Sequence, residues 1–273
     1  MALIVVCSAK GSPGASAVAL ALAVTWPGQG PGFGKPVVVE ADPAGGEVML
    51  RFGLPDSLSL VTLAAAARRT GLSEEVVRAH AQRLQGGVLV VPAPAAAEKS
   101  TAALAALESL WAEGEFASGT VVADIGRLGA PLGPVGELVG AADAAVLVTC
   151  GSVEELAHAE AAVGRLRPGV KHVVVTVVGP CAWPPQEIAH VLGADQCHLL
   201  PVDHATAGVL RGGPSVRPSW LRRRRRPNPL FDAAYHLALG LSQLLPQPDE
   251  ARAGNSGEPE RSGLAAMLGG HKP

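Results

Sequence analysis

Lys10-Gly11-Ser12-Pro13-Gly14-Ala15-Ser16 is the stretch from which the rest of the chain is read. The apolar run Ala2 to Cys7 leads into it, and an alanine- and leucine-rich run, Ala17 to Trp26, follows. That order predicts a strand, a glycine-bearing loop and a helix, with loop N–H groups set against the open start of the helix. First-turn amides have no partner inside their own helix and the helix dipole is positive there, so such a loop attracts phosphate. Gly11 and Gly14 let an anion approach the backbone with no Cβ in the way.

The remaining apolar runs extend this pattern. Residues 36–41, 87–92, 120–124, 144–149, 171–178 and 197–200 are short, rich in valine and suited to strands covered on both faces. With the first run they make about seven strands. Helical patterns separate most of them: 60–69, 73–84 with Glu74 and Glu75 in its first turn, 98–113, and a helix opening at Ser152. Repeated β-α-β units predict a doubly wound α/β fold, a mostly parallel sheet with helices on both faces. Asn228-Pro229 starts a last helix whose Leu230, Ala234, Leu237, Leu241 and Leu244 share one face. Its polar face holds Asp232, His236 and Gln243 and no lysine or arginine, so it is read as packing on the sheet rather than lying on a membrane. Residues 1–245 are therefore one domain. Residues 246–273, rich in Pro, Gly, Glu and Ser, are expected to be a disordered tail, in which Leu264–Leu268 is an isolated apolar cluster.

Composition narrows the function classes. The 273 residues are 48% hydrophobic, mostly alanine, valine and leucine, and 17% charged with a net charge of −2. There is no global pull toward nucleic acid or acidic lipid, so any such contact is local. Cys7, Cys150, Cys181 and Cys197 form no Cys-x-x-Cys pair and signal neither a zinc site nor a disulfide framework. They are read as buried reduced thiols of a cytoplasmic protein. Ala17–Val24 imitates a signal-peptide core, but a strand-like segment precedes it and the basic start is missing. No apolar stretch approaches the roughly 18–20 residues of a membrane span.

Two strands end in aspartate, Asp42 and Asp124. In open α/β sheets ligands bind beyond the carboxyl ends of the strands. A Mg2+ ion on phosphates takes one hydroxyl and one or two carboxylates, with water in the other positions, and Ser16, Asp42 and Asp124 supply that set. Each aspartate alone also suits an ordinary cap of the next turn or helix.

An ordinary phosphate loop ends Gly-Lys-Ser/Thr, with the lysine on the β/γ-phosphates and the hydroxyl on Mg2+. Here Ser16 keeps the hydroxyl, Ala15 replaces the lysine, and Lys10 opens the loop instead. At Lys10, Gly11, Gly14 and Ser16 the segment resembles the deviant loop of the MinD/ParA partitioning ATPases, departing from it at Ser12, Pro13 and Ala15. Glu40-Ala-Asp42-Pro43-Ala44-Gly45 resembles that family's Asp-x-Asp-Pro-x-Gly switch, with Glu40 in place of the first aspartate. Val121-Val-Ala-Asp124-Ile-Gly126 is similar to its Walker B strand, and Pro201-Val202-Asp203 to the turn that borders its adenine pocket. The likeness runs from about residue 2 to 245 with four motifs in the family's order.

The resemblance implies ATP and Mg2+ as cofactors, held by residues 10–16 with Pro201 and Asp203 and by Ser16, Asp42 and Asp124 respectively. It implies that Asp42 orients the attacking water. It also implies that Lys10 reaches across a homodimer to the partner's phosphates. Thr176-Val-Val-Gly179 lacks the asparagine with which the family reads adenine. The expected function is a nucleotide-dependent, dimerising switch that positions a cellular assembly, with slow hydrolysis at most and an unidentified protein partner. The alternative is a pseudo-ATPase scaffold that kept the fold and lost the nucleotide. Arg222, Arg223, Arg224, Arg225 and Arg226 lie in an acid-free stretch. They are read either as a solvated linker or as a contact for DNA or an anionic membrane, which would make the protein peripheral at the nucleoid or membrane.

Overall fold

The computed structural model describes residues 2–11, 14–27, 35–84, 87–114, 119–213 and 228–245. Ser12 and Pro13, the arginine run 222–226 and the segment 246–273 lie outside the described residues.

The chain runs β1 (Ala2–Ser8), α1 (Ala15–Thr25), β2 (Val37–Glu40), α2 (Val48–Phe52), α3 (Leu60–Thr70), α4 (Glu74–Ala79), β3 (Gln82–Arg83) and β4 (Leu89–Val91). It continues with α5 (Ala97–Leu107), α6 (Leu110–Glu113), β5 (Thr120–Arg127), α7 (Gly136–Gly140), β6 (Ala144–Cys150) and α8 (Val153–Leu166). Last come β7 (His172–Val178), α9 (Pro185–Leu192), β8 (Gln196–Leu200), α10 (His204–Leu210) and α11 (Pro229–Leu244). The sheet order is β3-β4-β2-β5-β1-β6-β7-β8, parallel throughout except for β3 against β4.

Alternate residues of each central strand enter opposite cores, which is why these segments read as continuous apolar runs. From β1, Leu3, Val5 and Cys7 join a core with α3, α5, α8 and α9, while Ile4 and Val6 join one with α1 and α11. Helix α1 is apolar all round because it is enclosed between the sheet and α11, and its alanines allow that close approach. Helix α11 buries Leu230, Ala234, Leu237 and Leu241 as its periodicity predicts, and Asn228 caps it by accepting from the Phe231 N–H at 3.1 Å.

Two expected helices are shorter than their patterns. The 73–84 pattern stops at Ala79, and the chain turns back so that Gln82 and Arg83 pair with Val90 and Leu89. Gln82 also donates to the Pro55 and Leu58 carbonyls at 2.7 and 2.6 Å. The local sign was the Gly86-Gly87 pair between two apolar runs, a hairpin signal that helical periodicity obscured. The 98–113 pattern is divided by a turn at Glu108–Ser109.

Candidate functional site

The first strand delivers the loop to the carboxyl edge of the sheet, with β5 on one side and β6 on the other. Gly14 precedes α1 at φ 92°, a left-handed conformation that glycine adopts without strain, and a Cβ at Gly11 would meet no atom within 4 Å. The start of α1 has no side-chain cap and no acidic residue in its first turn. Among the described residues the N–H groups of Ala15, Ser16 and Ala17 have no acceptor, the open end that an anion fits.

Parallel pairing sets Glu40 of β2 and Val6 of β1 level with Asp124 of β5. Asp124 is 3% exposed. It accepts from the Gly126 N–H at 3.1 Å, and the Ser16 hydroxyl lies near enough to favour its charged form. Burial pushes its carboxyl from the ordinary 3.8 up to about 6, against those two influences and helped by the charges of Glu40 and Asp42. The predicted hydroxyl and one predicted carboxylate are thus neighbours.

Asp42 lies just past β2. Its Oδ1 accepts from the Ala44 N–H at 2.8 Å, and burial raises its carboxyl above the usual range. Its carboxylate lies against Gly126, so closely that a Cβ there would collide with it, and Gly126 has φ 65°. The Ser100 hydroxyl donates to the Asp42 carbonyl at 2.6 Å and that of Thr101 to Pro43 at 3.2 Å, tying the switch-like turn to α5.

Sequence reasoning noted Glu40 only as a substitution. The structure gives it a positioning role. Its Oε1 accepts from the Glu47 and Val48 N–H groups at 2.7 and 3.0 Å, and its Oε2 from Ala93 at 2.9 Å. One buried carboxylate thereby joins the end of β2, the start of α2 and the exit of β4. A glutamate ending a valine run was its only local signal.

Ala15 is 7% exposed and its methyl belongs to the core under α1. Lys10 is exposed, and its charge helps hold the Glu154 carboxyl of α8 below the usual range, after that residue's own backbone amide and the Ser152 hydroxyl. On the far side of α1, the Gly179 N–H donates to the Leu200 carbonyl at 2.8 Å, which brings the end of β7 beside the Pro201–Asp203 turn. Asp203 caps α10, accepting from the Ala205 and Thr206 N–H groups at 3.1 and 3.0 Å and from the Thr206 hydroxyl at 2.6 Å. Thr176 is fully buried and its hydroxyl has no partner among the described residues.

The donor set is that of a hard cation on phosphate: a hydroxyl, two carboxylates and the free amides of a helix start. Among the described residues no three carboxylate, imidazole or thiol side chains converge on one point, so a Mg2+ ion here would complete its shell with phosphate oxygens and water. Ser16, Asp124 and Asp42 fit such an ion. Gly11, Gly14 and the first-turn amides of α1 fit a nucleotide's phosphates, with Ala15 where an ordinary loop has its lysine. Among the described residues no helix is long and apolar enough to cross a membrane.

No family model matches the sequence, and no curated protein is significantly similar to it. Solved structures are similar in fold. A ParA family ATPase from Chlorobium tepidum is 20% identical with a TM-score of 0.64, the match covering 88% of this chain and 98% of that one. The septum site-determining protein MinD of Pyrococcus horikoshii, solved with Mg-ADP, is 18% identical with a TM-score of 0.60 over 89% and 96%. A chain of the MinC:MinD cell division protein complex of Aquifex aeolicus is 16% identical with a TM-score of 0.53 over 89% and 96%. With its eight-stranded, mostly parallel sheet, the chain has the fold of the ParA and MinD ATPases.

Proposed function

We propose that this protein is a nucleotide-dependent switch that dimerises on ATP and Mg2+ and positions a cellular assembly. The buried Asp124 carboxylate with the Ser16 hydroxyl near it, next to uncapped amides at the start of α1, carries this reading. Ser16 and Asp124 hold the cation, and the amides of the loop and of the first turn of α1 bind the phosphates. Asp42, raised above the ordinary carboxylate range by burial, orients water at the terminal phosphate. With Ala15 in place of a lysine, phosphate charge is covered by Lys10 from the facing subunit. Exposure of Lys10 at the carboxyl edge of the sheet supports that arrangement.

One observation favours a second reading, an interaction scaffold without nucleotide. The Ala15 side chain is committed to the core, so no cation extends from the first turn of α1. A titration of ATP with and without Mg2+, run on wild type and on Lys10→Ala, separates the two. The switch reading expects Mg2+-dependent binding that Lys10→Ala weakens, and a larger sedimentation coefficient with nucleotide. Absence of binding at millimolar ATP refutes the switch and leaves the scaffold.

Local charge supports a further part of the reading, contact of Arg222–Arg226 with DNA or an anionic membrane. Replacing the five arginines by glutamine should weaken such binding and flatten its salt dependence. An unchanged salt slope makes the run a linker.

A further inference from the structure

A cleft of about 460 Å3 opens beside the loop, between the exit of β5 and α8, and the reading above makes no use of it. Its floor is small, with Ala9, Gly129 and Ala161, and its charged lining is Arg127, His158 and Arg165. The spacing of His158, Ala161 and Arg165 sets them on one stripe of α8, while Arg127 ends β5.

Neither guanidinium has a protein counter-charge or a hydrogen-bond acceptor among the described residues. Arg51, Arg78 and Arg167 by contrast are paired with Glu47, Glu74 and Asp195. Arg165 stands in the last turn of α8, where the helix dipole favours a cation. That account does not extend to Arg127. Glu154, one turn before His158, is opposed by Lys10.

Charge then selects the ligand. One carboxylate would leave an arginine uncovered. A phosphomonoester carries a charge of about −1.5 to −2 near neutral pH and three acceptor oxygens, which matches two guanidiniums and an imidazole. The arginine fork suits adjacent phosphate oxygens in particular. We propose that this cleft is a phosphomonoester-binding site, with Arg127 and Arg165 holding the phosphoryl group and His158 as third donor. It lies beside the nucleotide site, on side chains that the nucleotide reading does not use.

The test is calorimetric titration of the full chain with glycerol 3-phosphate, a blocked phosphoserine tripeptide and succinate. Both esters should bind, and succinate at least about tenfold more weakly, the value of one charge-assisted contact. The double variant Arg127→Gln/Arg165→Gln should lose at least about tenfold in ester affinity and melt like wild type, since both side chains are exposed and unpaired. His158→Gln should lose less. Ser16→Ala, which removes the hydroxyl proposed for the cation and alters no charge, should leave ester affinity as in wild type, which keeps failure of this proposal distinct from failure of the nucleotide reading. Tighter binding of the tripeptide identifies a phosphorylated protein as the source, and equal binding a free ester. No saturable binding overturns the proposal. So does ester affinity unchanged in the double variant, equal affinity for succinate, or binding lost with Ser16→Ala.

Discussion

Replacing Asp124 by asparagine should make the ligand-free protein more stable while removing its response to Mg2+. Asp124 is 3% exposed, its carboxyl is pushed from 3.8 up to about 6, and the charges of Glu40 and Asp42 act in the same direction as burial. A carboxyl raised in the folded state binds its proton more tightly there than in the unfolded chain. Its contribution to stability is thus greatest below the ordinary value and is lost as pH rises through about 6. Near pH 7.5 the shift is worth about 3 kcal/mol against folding, near pH 5 about 1.5, and near pH 4 about 0.5.

Asparagine has the same shape and no charge. Its Oδ1 can still accept the Gly126 N–H, and its Nδ2 can face the Ser16 oxygen as a donor, so neither neighbour is left without a counterpart. Urea unfolding of Asp124→Asn should therefore show a gain of about 1–3 kcal/mol near pH 7.5 that shrinks steadily toward pH 4. Mg2+ with ATP should raise the melting temperature of wild type and leave that of the variant unchanged. A variant less stable than wild type near pH 7.5, or a gain independent of pH, would refute the view of Asp124 as a buried charge held at a cost.

Three shorter predictions bear on the neighbours of Asp124. Gly126→Ala puts a Cβ at φ 65° against the Asp42 carboxylate, and it should cost at least about 1–2 kcal/mol in chemical denaturation from the backbone alone. Ala15→Lys should tighten ATP about ten- to a hundredfold by adding a charge-assisted phosphate contact, measured by titration; unchanged affinity means that the cradle is vestigial. Asp203→Ala removes a cap that holds two N–H groups and a hydroxyl of α10, and should lower stability by about 1–2 kcal/mol, read from the denaturation midpoint.

The sheet was legible because both faces are covered. Valine runs such as 37–39 and 173–175 have no polar alternation to misread, and the glycine loop marked the end of β1. Short elements were not. Helices α2, α7 and α10 have five to seven residues and are held by contacts made after folding, as α2 is by the Glu40 carboxylate on the Val48 N–H. The site was legible in its parts and not in its joints. Ser16, Asp42 and Asp124 are chemical types at motif spacings, but the place of Gly126 under Asp42 follows from how β5 continues to Arg127, one residue beyond the motif and three beyond the run. The hold of Glu40 on Ala93 joins residues 53 apart in sequence, and no local pattern encodes it.

Asp42 and Asp124 do not bear equally on function. Asp42 accepts the Ala44 N–H two residues on, which is what an aspartate does when it shapes a turn, so that contact alone would explain it. Asp203 likewise has a full structural account as a helix cap. Asp124 also accepts the N–H two residues on, that of Gly126, but that one contact does not account for a carboxylate so deeply buried. It lies inside a strand that continues for three more residues, so it caps no helix. Its other polar neighbour is the Ser16 hydroxyl. It is buried beside two further carboxylates that raise its pKa, and it has no ion-pair partner among the described residues. A carboxylate so placed costs the folded state free energy that an asparagine would not, and a cation at the phosphate loop would offset that cost. The nucleotide reading therefore rests on Asp124 more than on the glycines that first suggested it, since a glycine turn before a helix is explained by its backbone alone.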